Sequence, residues 1–304
     1  MSIEASGILV KNLSKKYDEA DKKALDNLSL EVKSGEVYGF LGPNGAGKST
    51  AIRLLMNFIQ PTSGEAKILG YDIVSQSTEI KKHVGYLSGD LAMYKKMTGQ
   101  QYLSYLSELQ GQSTKGYEKT LAQSLKAQLD KPLGDLSRGN RQKIALIQAL
   151  MHQPKILILD EPTSGFDPLV QETFYQLANE AKQRGCAIFM SSHIMSEVQK
   201  VCDRVGIIRD GKLITERNIA EMATEAAQTF DITFAHKNPL TELKKIKGLK
   251  VVTQNDNHVT VHIHGQLAPL FTLLGKNNVV KIDARNLDLE EVFMRFYDGK
   301  EAKR

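Results

Sequence analysis

Residues Gly42, Pro43, Asn44, Gly45, Ala46, Gly47, Lys48, Ser49 and Thr50 run consecutively and satisfy the pattern G-x-x-x-x-G-K-[ST]. Glycines at those places let backbone N–H groups converge on phosphate oxygens with no side chain in the way. A helix beginning near Lys48 would point the positive end of its dipole at the same anion. Lys48 would then reach the β- and γ-phosphates of a nucleoside triphosphate, and Ser49 would offer its hydroxyl to Mg²⁺. A second group of candidates is the apolar run 156–159 ending in Asp160 and Glu161. Carboxylates at the end of a buried strand lie at the sheet's carboxyl edge, where ligands of open α/β sheets bind. Asp160 suits the metal, through its water shell, and Glu161 suits the role of general base toward an attacking water.

These residues need a scaffold, and the patterning describes one. Residues 36–41 read as a strand leading into the glycine-rich turn. Ile52, Leu55, Met56 and Ile59 mark one face of the helix that follows, with Pro61 at its end. The runs at 155–160 and 186–190 read as strands buried on both faces, and 205–214 as a hairpin folded at Asp210-Gly211. Residues 91–129 carry helical spacing and are longer than one crossover needs, so they read as a helical insertion. Up to about Arg217 this is an α/β domain with a largely parallel sheet.

Beyond a helical link near 218–227 the pattern restarts. Strand-like runs at 229–235, 249–253, 258–264 and 279–283 alternate with helix-like runs at 239–246 and 267–274. That order, β-α-β-β-α-β, predicts a small ferredoxin-like α+β domain. A last amphipathic helix would place Leu289, Val292, Phe293 and Phe296 on one face. The division is therefore 1–218 and 219–304.

Of 304 residues, 41% are hydrophobic and 25% charged, and the net charge of +5 is spread among interleaved acids and bases. Such a surface gives solubility rather than a dedicated nucleic-acid track. No apolar run approaches the ~18 residues that cross a bilayer, and residues 1–15 lack a signal-peptide core, so a cytosolic protein is expected. Cys186 and Cys202 sit in strand-like and helix-like stretches and read as reduced core residues.

A phosphate loop alone leaves kinases, GTPases and motor ATPases open. The run Leu136-Ser137-Arg138-Gly139-Asn140, just ahead of the Asp-Glu strand, narrows the choice, together with Ser164-Gly165-Phe166-Asp167 and His193. Over about residues 7–215 the chain resembles the nucleotide-binding subunit of ATP-binding cassette (ABC) transporters. The resemblance implies a P-loop NTPase fold with an antiparallel β-subdomain and a helical subdomain over about 91–150. It implies ATP and Mg²⁺ as ligands and two copies paired head-to-tail, a homodimer. Each ATP would be held between one chain's phosphate loop and Ser137 and Gly139 of the other. Tyr17 matches the aromatic residue that stacks on adenine, His193 the histidine that contacts the γ-phosphate and orients Glu161, and Asp167 the residue that couples the two sites. The tail 287–297 is similar to that of bacterial drug-export ATPases, whose permeases are separate membrane chains on whose cytoplasmic face the ATPase docks. An ABC ATPase acting on a soluble assembly is the competing reading; one cassette and no sustained heptads weigh against it.

Two departures from the family pattern stand out. Arg138 and Asn140 replace the usual glycine and glutamine of L-S-G-G-Q, and Gly89 stands where many members have a glutamine reaching the metal and the attacking water. Asp90, one residue on, is a candidate substitute. His258, His262 and His264 share one strand face, which reads as a solvated sheet face rather than a metal site. Tyr94, Tyr102 and Tyr105 could touch a membrane partner, but their helical spacing favours a small core.

Overall fold

The computed structural model describes residues 6–18, 21–111, 114, 116–225, 228–263 and 265–285. The chain divides into two compact units, 1–217 and 218–304.

The first unit contains β1 (Ser6–Lys15), β2 (Leu25–Lys33), β3 (Val37–Leu41), α1 (Lys48–Leu55), β4 (Ser63–Ile68), β5 (Tyr71–Asp72), α2 (Ser77–Lys81) and β6 (Val84–Leu87). Next come α3 (Gly99–Gln110), α4 (Tyr117–Ser124), α5 (Arg138–Leu150), β7 (Ile156–Asp160), α6 (Pro168–Gln183), β8 (Ala187–Ser192), α7 (Met195–Val201), β9 (Arg204–Arg209) and β10 (Lys212–Asn218). Six strands form the central sheet in the order β10-β9-β3-β8-β7-β6, and the pairs β9/β3, β3/β8, β8/β7 and β7/β6 are parallel. Every residue of β3, β7 and β8 is buried, as expected for parallel strands covered on both faces. The hairpin β9–β10 turns at Asp210 (φ 49°) and Gly211 (φ 76°), the two positive φ values of a type I′ turn. A second, antiparallel sheet has the order β2-β1-β4-β5. Its apolar face shares one core with α1 and the central sheet, around Ile8, Leu13, Leu28, Phe40, Ile52, Leu54 and Phe189.

Helix α1 stops sooner than its apolar periodicity predicts. Asn57 adopts a left-handed φ of 53°, while the Asn57 and Phe58 N–H groups donate back to the Leu54 and Arg53 carbonyls. This is a Schellman stop with asparagine in the glycine position, so Ile59 packs against the core from beyond the helix. The insertion is two helices, α3 and α4. A reciprocal capping box starts α3: the Gln101 N–H donates to the Thr98 hydroxyl, and the Thr98 N–H to the Gln101 side chain.

The second unit holds α8 (Ile219–Glu225), β11 (Gln228–Phe234), α9 (Leu240–Leu243), β12 (Leu249–Gln254), β13 (His258–Ile263), α10 (Ala268–Lys276) and β14 (Val279–Arg285). The sheet order is β12-β13-β11-β14 with every neighbouring pair antiparallel, the split β-α-β-β-α-β arrangement. Phe230, Ile232, Val259, Val261, Ile263, Leu243 and Leu270 form its core. His258 and His262 lie half-buried on the opposite face of β13, and His264 lies outside the described residues. So does the helix expected to carry Leu289, Val292, Phe293 and Phe296.

Candidate active site

Four loops leave the carboxyl edge of the central sheet side by side, because β3, β8, β7 and β6 are consecutive and parallel. After β3 comes the phosphate loop, after β8 His193, after β7 Glu161 and after β6 Gly89. Strand order thus gathers residues that are far apart in the chain.

Gly47 caps α1 with φ 112°, and a Cβ there would lie 2.7 Å from the Ala24 carbonyl oxygen, so glycine is required twice over. The amine of Lys48, 6% exposed, donates to the Gly42 carbonyl at 2.7 Å and the Pro43 carbonyl at 3.2 Å, and lies 3.8 Å from Glu161 Oε1. Burial pushes its pKa below the ordinary lysine value, with the charges of Glu161 and Asp160 pulling the other way. Ser49, one residue on, donates its hydroxyl to Asp160 Oδ2 at 3.1 Å. Those two hard oxygen donors suit a divalent cation. Gly89 lies close against them: a Cβ there would come within 3.2 Å of Asp160 Oδ2, so a side chain at 89 would crowd the pair.

Glu161 has φ 48°, a left-handed conformation that non-glycine residues rarely adopt. Its N–H is held by the Ser191 hydroxyl at 3.1 Å and the Ser191 carbonyl at 3.3 Å. The half-exposed His193 places Nδ1 3.1 Å from Glu161 Oε1. An ionised carboxylate only accepts, so Nδ1–H is the donor in this contact. The candidate base Glu161 and the candidate orienting residue His193 therefore meet at hydrogen-bond distance.

Ser137 caps α5, its hydroxyl accepting the Asn140 N–H at 3.2 Å, and is exposed at the helix start. Gly139 lies against the loop that follows Glu161: a Cβ there would be 2.8 Å from the Gly165 carbonyl oxygen. Asp167 caps α6 by accepting the Val170 N–H at 3.0 Å.

Residues 25–164 match the family described as ABC transporter. Over 298 residues the chain is 33% identical to the bacitracin transport ATP-binding protein BcrA of Bacillus licheniformis, covering 95% of this chain and 96% of that one. The chain belongs to the ABC transporter family. It is an ATP-binding protein of that family, whose cassettes hydrolyse ATP. A solved ATP-binding subunit of an ABC transporter superposes with TM-score 0.65 at 27% identity, covering 71% of this chain and 91% of that one. The dimeric bacterial ABC transporter cassette MJ0796 shares the fold, with TM-score 0.63 at 22% identity over 70% of this chain and 98% of that one.

Within the cassette, the loop after β6 brings Gly89 rather than Asp90 against Asp160. Asp90 is exposed, with its N–H donating to the Ser88 hydroxyl at 3.2 Å. Asn140 turns inward and pairs with both backbone groups of Gln128, at 2.9 and 3.0 Å. It fastens the segment between α4 and α5. Tyr17 is 37% exposed, with the Lys15 ammonium 5.4 Å from its ring centroid, just beyond the β1 end that bonds Ala24. One sequence expectation is overturned. Tyr94, Tyr102 and Tyr105 do touch one another, with centroids 6.4 and 5.9 Å apart, yet Tyr94 is 59% and Tyr105 36% exposed. They pack on the surface instead of filling a core, because the face of α3 turned to α5 carries Leu103 in their stead. Tyr94 and Tyr102 border an open groove of about 710 Å³ lined also by Leu91, Met93, Leu106 and Arg141.

Sequence reasoning passed over several polar residues at the site. Ser191 touches both Asp160 and Glu161. The Gln142 amide donates to the carbonyls of Glu161 and Pro162 at 3.4 and 3.3 Å. The buried Glu197 carboxylate accepts from the Thr163 and Ser192 hydroxyls. Each is one Ser, Gln or Glu in an ordinary helix or strand, and no local pattern flags it. Both cysteines are free and buried, and burial pushes the Cys186 thiol up to about 12, so neither is a nucleophile.

Proposed function

We propose that this cassette hydrolyses Mg·ATP as a head-to-tail pair and thereby powers export through a separate membrane permease at the cytoplasmic face of the membrane. The observation that carries the catalytic half is the meeting of Lys48, Ser49, Asp160, Glu161 and His193 at one sheet edge. Lys48, released from the Gly42 and Pro43 carbonyls, moves onto the β- and γ-phosphates, whose charge also restores its ordinary affinity for a proton. Backbone N–H groups of residues 45–49 cradle the phosphates. Glu161, oriented by the His193 Nδ1–H, accepts a proton from the attacking water as that water approaches the γ-phosphorus. Ser49 and Asp160 would hold Mg²⁺, which would supply charge neutralisation to the phosphate oxygens. Tyr17 is assigned to cover the adenine.

Ser137 and Gly139, at the exposed N-terminus of α5, are assigned to the γ-phosphate of the opposite copy, and Asp167 to the contact between the two sites. The dimeric neighbour of the same fold supports that pairing. Transport is favoured by the BcrA relative, named for bacitracin transport. A membrane partner is favoured by the groove at Tyr94 and Tyr102, a partly aromatic surface of the kind that receives a partner segment. Export is carried over from the likeness of the tail 287–297 to drug-export ATPases. No helix among the described residues is long and apolar enough to cross a membrane.

The test is capture of the Glu161→Gln protein from its own cells in detergent, with ATP and Mg²⁺, followed by mass spectrometry. A stoichiometric multi-pass membrane protein is the expected companion, and adding Tyr94→Ala should lower its recovery. Ribosomal, DNA-bound or solely soluble companions would sink the transporter reading and leave the ATPase.

A further inference from the structure

Ser191 lies in β8, directly opposite Asp160 of β7 in the parallel register, and is fully buried. A serine hydroxyl has one proton to give and lone pairs to receive another. Here the proton goes to Asp160 Oδ1, and the oxygen accepts the N–H of Glu161 at 3.1 Å. With Oδ1 engaged, the carboxylate of Asp160 is rotated so that Oδ2 faces Ser49, 3.1 Å away, and the close-lying Gly89. The second bond falls on the residue whose φ of 48° is the costly one at this site. Losing the hydroxyl would leave this half-buried N–H with the longer contact to the Ser191 carbonyl at 3.3 Å.

We propose that Ser191 is a positioning residue of the hydrolytic site, one hydroxyl that sets both the metal-facing oxygen of Asp160 and the backbone of Glu161. Ser191 acts through the carboxylate of Asp160 and the backbone N–H of Glu161. The proposal rests on the roles given above to Asp160 and Glu161. It also distinguishes Ser191 from its neighbour Ser192, which faces the other way and donates to Glu197.

The test compares full-length parent, Ser191→Ala, Ser191→Cys and Glu161→Gln proteins. Turnover is followed against Mg²⁺ concentration, ATP affinity is measured in EDTA with a fluorescent ATP analogue, and Tm is recorded. Ser191→Ala should lower kcat at least tenfold and raise the Mg²⁺ concentration for half-maximal rate several-fold. Metal-free nucleotide affinity should stay within twofold and Tm within a few degrees. Ser191→Cys, with its weak S–H donor, should fall between Ser191→Ala and the parent. Parent-like turnover and Mg²⁺ dependence in Ser191→Ala, with Glu161→Gln inactive, would overturn the role of Ser191 alone. A parallel loss of metal-free affinity, Tm and turnover would also overturn it, by reducing Ser191 to a packing residue. Undiminished hydrolysis by Glu161→Gln would instead remove the reading of the site on which the proposal stands.

Discussion

Lys48 shows how one residue can be costly to the empty fold and indispensable to the loaded one. Its amine sits beneath the phosphate loop, where burial disfavours the charged form despite Glu161 and Asp160 nearby. The lowered pKa means that the unfolded chain binds this proton more readily than the folded one. The resulting penalty is fully present below the folded value and fades as pH rises toward the ordinary 10.5. Chemical denaturation of nucleotide-free parent and Lys48→Met at pH 7.5 and 10 should therefore show the parent gaining stability on the variant as pH rises. A constant difference would place the amine in a solvent-like setting. Glu161 is the other side of the same contact. Replacing it with Gln keeps the shape and a hydrogen-bond partner for His193 but removes the proton acceptor. Turnover should drop by roughly 10²–10⁴ while ATP still binds, as measured by phosphate release and nucleotide titration.

Helix α5 shows the same logic at the scale of an element. Its first turn carries no acid to balance the helix dipole, and its start is held by Ser137 and by the inward amide of Asn140. That amide closes two hydrogen bonds with the Gln128 backbone, groups that are otherwise left unpaired beside the helix. Asn140→Ala should destabilise the first unit by about 1–3 kcal/mol, read from urea unfolding. A change under about 0.5 kcal/mol would show that water replaces the amide without loss. The departure from the common glutamine is thus structural in this chain, while Ser137 and Gly139 stay at the exposed end of the helix. Helix α3 makes a complementary point. Its capping box satisfies its own N-terminus, while Tyr105 stays exposed on its surface.

On the scale of the whole molecule, the second unit has its own sheet and its own core, so it can act as a separate module on the cassette. We assign it to steadying the head-to-tail pair or adjusting turnover. A chain ending at Ala227, compared with the full chain in the Glu161→Gln background, should dimerise several-fold more weakly with ATP by light scattering. Without that substitution its ATPase rate should also change. Equal dimerisation and equal turnover would show the second unit to be dispensable for both.

Features that lie contiguous in the chain were legible from the order of residues alone. The glycine spacing before Lys48, the apolar strand ending in Asp160 and Glu161, the hairpin at Asp210-Gly211 and the β-α-β-β-α-β order all have local physical causes, in φ freedom, strand burial and turn chemistry. Only the tertiary structure decided which side chains meet. The parallel order β3-β8-β7 joins Ser49 to Asp160 across 111 positions and Ser191 to Asp160 across 31. A hydrogen bond between distant strands imposes no periodicity on either segment, so Ser191, Gln142 and Glu197 carry no local mark of their role. Surface and core tyrosines at helical spacing look alike for a related reason. Which face of a helix is buried depends on the neighbour it packs against, and that neighbour is settled by the fold.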